Sequence, residues 1–151
     1  MLRLKRTVAG DADFIPLVAL LDADLAVRDG DEHAFYAQFN KTALLDEVIV
    51  AYWNDGPVGC GAFKHFGDAV AEIKRMFVLP AFRGKGIASA ILAALEQWAG
   101  ELNYRSTILE TGIKQPEAIA LYTKAGYRLT ANYGQYLDVE NSVCMRKELK
   151  K

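Results

Sequence analysis

Between Val78 and Ser89 the chain leaves a β-branched and aromatic stretch and crosses Pro80, Gly84 and Gly86 together with the cations Arg83 and Lys85. It then enters an apolar helical repeat at once. That crossing constrains more than a turn, because a strand feeding a helix through two glycines sets two adjoining elements of an α/β layout. Glycines also let a backbone come close to a ligand. The first N–H groups of the helix have no internal partners, so loop and helix start form an anion cradle, to which Arg83 and Lys85 add full positive charge. The plain alternative is an ordinary strand-to-helix turn with solvated basic residues.

The elements around this crossing follow from periodicity. Leu2 and Leu4 alternate with Arg3 and Lys5, which suits a half-buried first strand. Phe14, Leu17, Val18, Leu21 and Leu25 share one helical face, with Asp11 and Asp13 as capping candidates, Pro16 admissible in the first turn and Gly30 as the stop. A second, shorter helix is expected over Glu32 to Phe39. Val48 to Trp53, the turn Asn54-Asp55-Gly56-Pro57 and Val58 to Phe66 read as a hairpin, its second strand weakened by Gly59 and Gly61. A third strand covers Ala69 to Leu79. Ile87, Ile91, Leu92, Leu95 and Trp98 then predict a helix up to Gly100, Thr107 to Leu109 a buried strand, and Ala118 to Ala125 a helix stopped by Gly126. Tyr127 to Ala131 and Ser142 to Glu148 are the last two strands, joined by a loop containing Asn132, Tyr133, Gln135 and Tyr136. The expected fold is therefore a mixed α/β layout of about six or seven strands and about four helices rather than a regular βαβ repeat.

Size and charge narrow the function. With 151 residues the chain, 1–151, is expected to be a single domain. Lys plus Arg number 18 against 19 Asp plus Glu, a formal net charge of -1. A duplex or membrane-surface reader usually shows a basic excess, so neither nucleic acid nor membrane is an expected partner. The longest clean apolar run, Val48 to Trp53, is far short of the ~18 residues of a membrane span, and Met1 to Arg6 precede no signal core, so the expected location is cytoplasmic. Cys60 and Cys144 give no disulfide framework, and with only His33 and His65 beside them no zinc spacing. Free thiols and no metal are expected. Cys60 and His65 share a strand at an odd separation, so they face opposite ways and make no nucleophile–base pair. The acidic cluster Asp29, Asp31 and Glu32 reads as a solvated connection between helices.

Two phosphate-loop alternatives fail on spacing. Gly84 and Gly86 begin a dinucleotide pattern, with Glu110 some two dozen residues on, but position 89 is Ser and a hairpin precedes the loop. No Gly-Lys-Ser/Thr follows a four-residue gap, so a Walker loop is absent. By contrast, Arg83-x-x-Gly86-x-Ala88, led in by Met76-Phe77-Val78-x-Pro80, resembles the R/Q-x-x-G-x-G/A signature of the GNAT superfamily of acyl-CoA-dependent N-acetyltransferases. Ala118 to Tyr127 resembles the same family's helix ending in L-Y-x-x-x-G-F/Y. Both motifs stand in the family's order, and the resemblance covers residues 1 to 151.

The resemblance implies a single-domain fold whose mostly antiparallel sheet splays at its two central strands. It implies that acetyl-CoA is the cosubstrate, its pyrophosphate held by the loop Arg83, Gly84, Lys85, Gly86, Ile87, Ala88 and Ser89. The pantetheine arm would lie along Met76, Phe77 and Val78, which suits main-chain capture at an open sheet edge. Tyr122 matches the family's general acid, and Gln115 stands where the family often has a cofactor-touching Asn. Glu72, eleven residues before Arg83, and Glu110 match two positions at which members place the general base, and the choice between them stays open. The implied activity is acetyl transfer to a primary amine of a small molecule, protein or peptide. The acceptor would lie against the first two helices and the loop around Tyr133, and a homodimer is compatible with the family. A catalytically silent acyl-CoA-binding sensor or interaction module would keep the phosphate loop and need neither Tyr122 nor a base.

Overall fold

The computed structural model describes residues 1–29, 45–113 and 115–149. The first strand, β1 (Leu2–Thr7), leads to α1 (Phe14–Asp29) and then to three strands, β2 (Glu47–Trp53), β3 (Gly56–Gly67) and β4 (Val70–Val78). Next come α2 (Ile87–Glu101), β5 (Ser106–Gly112), α3 (Pro116–Lys124), β6 (Arg128–Thr130) and β7 (Ser142–Glu148). All seven strands form one sheet in the order β1-β2-β3-β4-β5-β7-β6, antiparallel throughout except between β4 and β5. The expected helix over Glu32 to Phe39 lies outside the described residues, among which there are three α-helices. None of these is long and apolar enough to cross a membrane.

The sheet is covered on both faces. Val48, Val50 and Tyr52 pack under Phe14, Leu17 and Leu21 of α1, while Ile49 and Ala51 pack with Ile91, Leu92 and Leu95 of α2 on the other side. This explains why β2 reads as a continuous apolar run instead of an alternation. Each of these large side chains is fully or nearly fully buried, contributing on the order of 1.5–3 kcal/mol.

The helix ends show which punctuation the chain uses. Asp11 is the residue that caps α1, its Oδ1 accepting the N–H of Asp13 at 2.8 Å and of Phe14 at 3.3 Å. Asp13 instead accepts the Tyr52 hydroxyl at 2.7 Å. The expected stop of α2 at Gly100 is corrected by the structure, in which Gly100 stays helical and Asn103, at φ 71°, turns the chain. The Tyr104 N–H then bonds the Ala99 carbonyl and the Asn103 N–H that of Gly100, a Schellman ending with asparagine in the left-handed position.

Gly59 and Gly61 lie inside the unbroken strand β3, and they are what lets α2 settle on it. A Cβ built on Gly61 would lie 2.6 Å from Met76 Sδ and 2.9 Å from both Ile91 Cγ2 and Leu95 Cδ1. We expect Gly61→Ala to lower stability by about 1–3 kcal/mol through overpacking, measured by denaturant unfolding. An unchanged midpoint would show that α2 moves away at no cost.

Candidate active site

The parallel pairing of β4 with β5 covers only Val70–Ser106, Ala71–Thr107 and Glu72–Ile108. Beyond Glu72 the strands part. β5 stays paired with β7 along its whole length, from Ser106 opposite Glu148 to Gly112 opposite Ser142. β4 carries a bulge against β3: Cys60 faces Phe77 and Ala62 faces Lys74, so Arg75 and Met76 together oppose Gly61. Arg75 adopts φ 59°, a left-handed conformation costly for a side-chain-bearing residue. From Met76 to Val78, β4 therefore has no ladder pairing with β5.

The parting opens a cavity of about 110 Å³. Its walls are Leu21 and Leu25 of α1, the β4 stretch from Glu72 to Met76, and Glu110 to Gly112 of β5. Gln115, Ala118, Tyr122 and Tyr136 complete it. The fold thus brings together Glu72, Glu110, Tyr122, Met76 and Gln115. The other expected ligand-binding residues, Phe77, Val78 and the segment from Arg83 to Ser89, continue from this cavity along the end of β4 and into the start of α2.

At that start, Gly84 and Gly86 both sit at φ 80°, where L side chains are strained, and Gly86 is the N-cap of α2. The first bond of the helix runs from the Ala90 N–H to the Gly86 carbonyl, leaving the amides of Ile87, Ala88 and Ser89 available to an anion. Arg83 is exposed, but its Nε donates to the Val78 carbonyl at 2.9 Å and its guanidinium lies 5.7 Å from the Phe77 ring, so it ties the loop to β4. Lys85 Nζ stands 5.8 Å from the Trp53 ring. Gln115 is the N-cap position of α3 without a side-chain capping bond, followed by Pro116 in the first turn.

Tyr122 is 6% exposed and lies edge-on to Tyr127, with ring centroids 5.8 Å apart. Burial, and then the charge of Glu110, push its phenol well above the ordinary range. Glu110 is half-buried and accepts the Ser142 hydroxyl at 2.8 Å. Glu72, 3% exposed, accepts the Tyr133 hydroxyl at 2.9 Å and lies near two ammonium groups, Lys64 at 3.8 Å and Lys74 at 4.0 Å. Burial lowers the pKa of Lys74, and Glu72 partly offsets that.

Sequence reasoning did not single out Lys74 or Arg75. Lys74 was legible in principle, because it shares a strand face with Glu72 two residues before it. Arg75 reaches the site through the bulge, for which the isolated Gly61 in the neighbouring strand was the available signal. Its guanidinium, 1% exposed, pairs with Asp22 of α1. Neither cysteine is part of the cavity wall. Burial pushes the Cys60 thiol up to about 12 and that of Cys144 up to about 11, and His65 points to the surface beside Tyr104.

Residues 16–127 match the family model described as the Acetyltransferase (GNAT) family. An IAA acetyltransferase of Azospirillum brasilense is 36% identical over 102 residues, covering 67% of each chain. The crystal structure of a candidate acyl-CoA N-acyltransferase from Klebsiella pneumoniae superposes with a TM-score of 0.84 at 32% identity, covering 99% of both chains. A GNAT family acetyltransferase from Elizabethkingia anophelis, solved with acetyl-CoA bound, shares the fold at a TM-score of 0.70 and 19% identity over 98% of each chain.

The loop geometry makes a direct prediction. Gly86→Val should force a side chain into a left-handed position at the cradle and weaken acetyl-CoA binding at least tenfold, about 1.4 kcal/mol, in a calorimetric titration. Unchanged affinity in a folded variant would remove the phosphate-loop assignment.

Proposed function

Because this chain belongs to the acetyltransferase (GNAT) family and is an acyltransferase by that membership, we propose that it transfers the acetyl group of acetyl-CoA to a primary amine. The attack is direct, with both substrates bound. The observation that carries this reading is the one cavity in which Glu72, Glu110 and Tyr122 meet beside the open edge of β4. Acetyl-CoA supplies an activated thioester. The amides ahead of Ala90, the left-handed Gly84 and Gly86 and the edge from Met76 to Val78, which β5 leaves open, suit its phosphates and its extended arm.

The chain's own residues then divide the proton work. A backbone N–H near Phe77 or Val78 polarises the thioester carbonyl, as donors aimed at developing charge do. The amine approaches from the α1 side, where Leu21 and Leu25 give an apolar wall, and Glu72 takes its proton. Glu110 has the other task. Its charge raises the Tyr122 phenol further and so keeps the proton in place. A phenol held above its ordinary value of about 10 gives a proton to a thiolate, whose parent thiol is near about 8.5, only at a cost. Tyr122 therefore acts chiefly by donating a hydrogen bond to the sulfur as charge builds there.

The test begins with amines and peptide amino termini offered together with acetyl-CoA, following thiol release. A wild type that binds acetyl-CoA and acetylates none of a broad set would overturn the reading. On the best acceptor, Tyr122→Phe should lose about 10²-fold in turnover with nearly unchanged acetyl-CoA affinity. Because the phenol stays protonated throughout the neutral range, that ratio should be constant from about pH 6 to about pH 9. Glu72→Gln should lose about 10²–10⁴-fold and Glu110→Gln less. The reverse order would give the base role to Glu110.

A further inference from the structure

We propose that Tyr133 is a positioning residue for this transfer: its hydroxyl fixes the Glu72 carboxylate, and with it the β6–β7 loop, on the acceptor side of the cavity. The inference rests on Glu72 as the base. Tyr133 Oη donates to Glu72 Oε2 at 2.9 Å across 61 positions of sequence, joining the loop to β4. A carboxylate only 3% exposed needs such a donor, since burying the charged form without hydrogen bonds is costly. Its ammonium neighbours, Lys64 on β3 and Lys74 on β4, stand at 3.8 and 4.0 Å, beyond hydrogen-bond length. The phenol is the short contact.

The other groups around Glu72 do not replace it. Tyr136 of the same loop and Cys144 of β7 feel the Glu72 charge, and both are themselves held in the neutral form by burial. Glu110 acts on Lys74 from β5, adding negative charge rather than a donor. On α1, the wall is Leu21 and Leu25, and the nearby Asp22 is engaged with Arg75.

Tyr133 is itself pinned. Its ring meets Phe66 of β3 edge-on at 5.0 Å and Tyr136 at 5.6 Å, and the left-handed Gly134, at φ 50°, turns the chain directly after it. Packing thus sets the direction of the hydroxyl before a ligand arrives. One carboxylate oxygen is committed to the phenol, and the remaining lone pairs are held at a fixed place for the amine proton. Such preorganisation works only through Glu72, which is what separates it from loop packing.

Tyr133→Phe keeps the ring and its aromatic contacts and deletes one donor to the ionised carboxylate. Losing the donor that holds this carboxylate in place should lower kcat several-fold while leaving the KM for acetyl-CoA near its wild-type value. Acetyl-CoA affinity and melting temperature should stay close to wild type. With Glu72→Gln already present, adding Tyr133→Phe should change the rate little. An unchanged kcat, or an equal loss in the Glu72→Gln background, would overturn the positioning role while leaving Glu72 as base. A near-normal rate in Glu72→Gln alone would instead remove the base assignment first, and this inference with it.

Discussion

Everything at the site depends on the fact that β4 and β5 are bonded for three residues and no further. A parallel pair reached through a helix is the natural product of a β-α-β crossover, and α2 packs back on the sheet to make it. What stops the pairing is the different company of each strand. β5 is straightened by a seven-residue register with β7, whereas β4 is bent by the bulge that sets Arg75 and Met76 against Gly61. The two strands are thus aimed apart from Glu72 onward, and the sheet gains an internal edge that an extended ligand can pair with, in a place that side chains from α1 and α3 can reach.

That opening collects charges which would be costly singly. Glu72, Lys74 and Arg75 are all buried on β4, and each has an opposite charge or a donor close by: Tyr133 of the β6–β7 loop for Glu72, Asp22 of α1 for Arg75, and Glu72 of the same strand for Lys74. The arrangement is not complete. Arg75 Nε is buried without a partner, a cost that accompanies the left-handed residue at the bulge. The same stretch of β4 that bends away from β5 therefore also holds the left-handed Arg75 and the densest charge of the cavity.

How much of this was legible in the sequence follows from whether the signal is local. The hairpin turn was readable because Asn54 and Asp55, at φ 50° and 71°, take the left-handed conformations that such a dipeptide tolerates. The double-faced β2 and the apolar face of α2 were readable from composition and period. The parity argument set Cys60 and His65 on opposite faces, and the structure buries the first and exposes the second. The bulge was not readable, because it is a property of two strands and appears in one of them only as Gly61. Nor were the different surroundings of the two glutamates, since both are polar residues on strands facing one gap. Their difference comes from Tyr133, Ser142 and Tyr122, which lie far from them in sequence.

The segment from Leu121 to Tyr127 shows how one motif can carry two kinds of information. Its end is structural: the Tyr127 N–H bonds the Tyr122 carbonyl and the Gly126 N–H that of Thr123, with Gly126 at φ 101°, a Schellman ending that glycine makes cheap. Tyr127 then anchors the turn, its hydroxyl joined to Thr107 of β5 at 2.7 Å and to Glu96 of α2 at 2.9 Å, while Lys147 of β7 pairs with Glu96 at 2.8 Å. Because the carbonyl of Tyr122 is itself the acceptor of the terminating bond, ending the helix and fixing the Tyr122 backbone are one event. Gly126 and Tyr127 thus set the position of the Tyr122 phenol, the group that we propose donates to the sulfur.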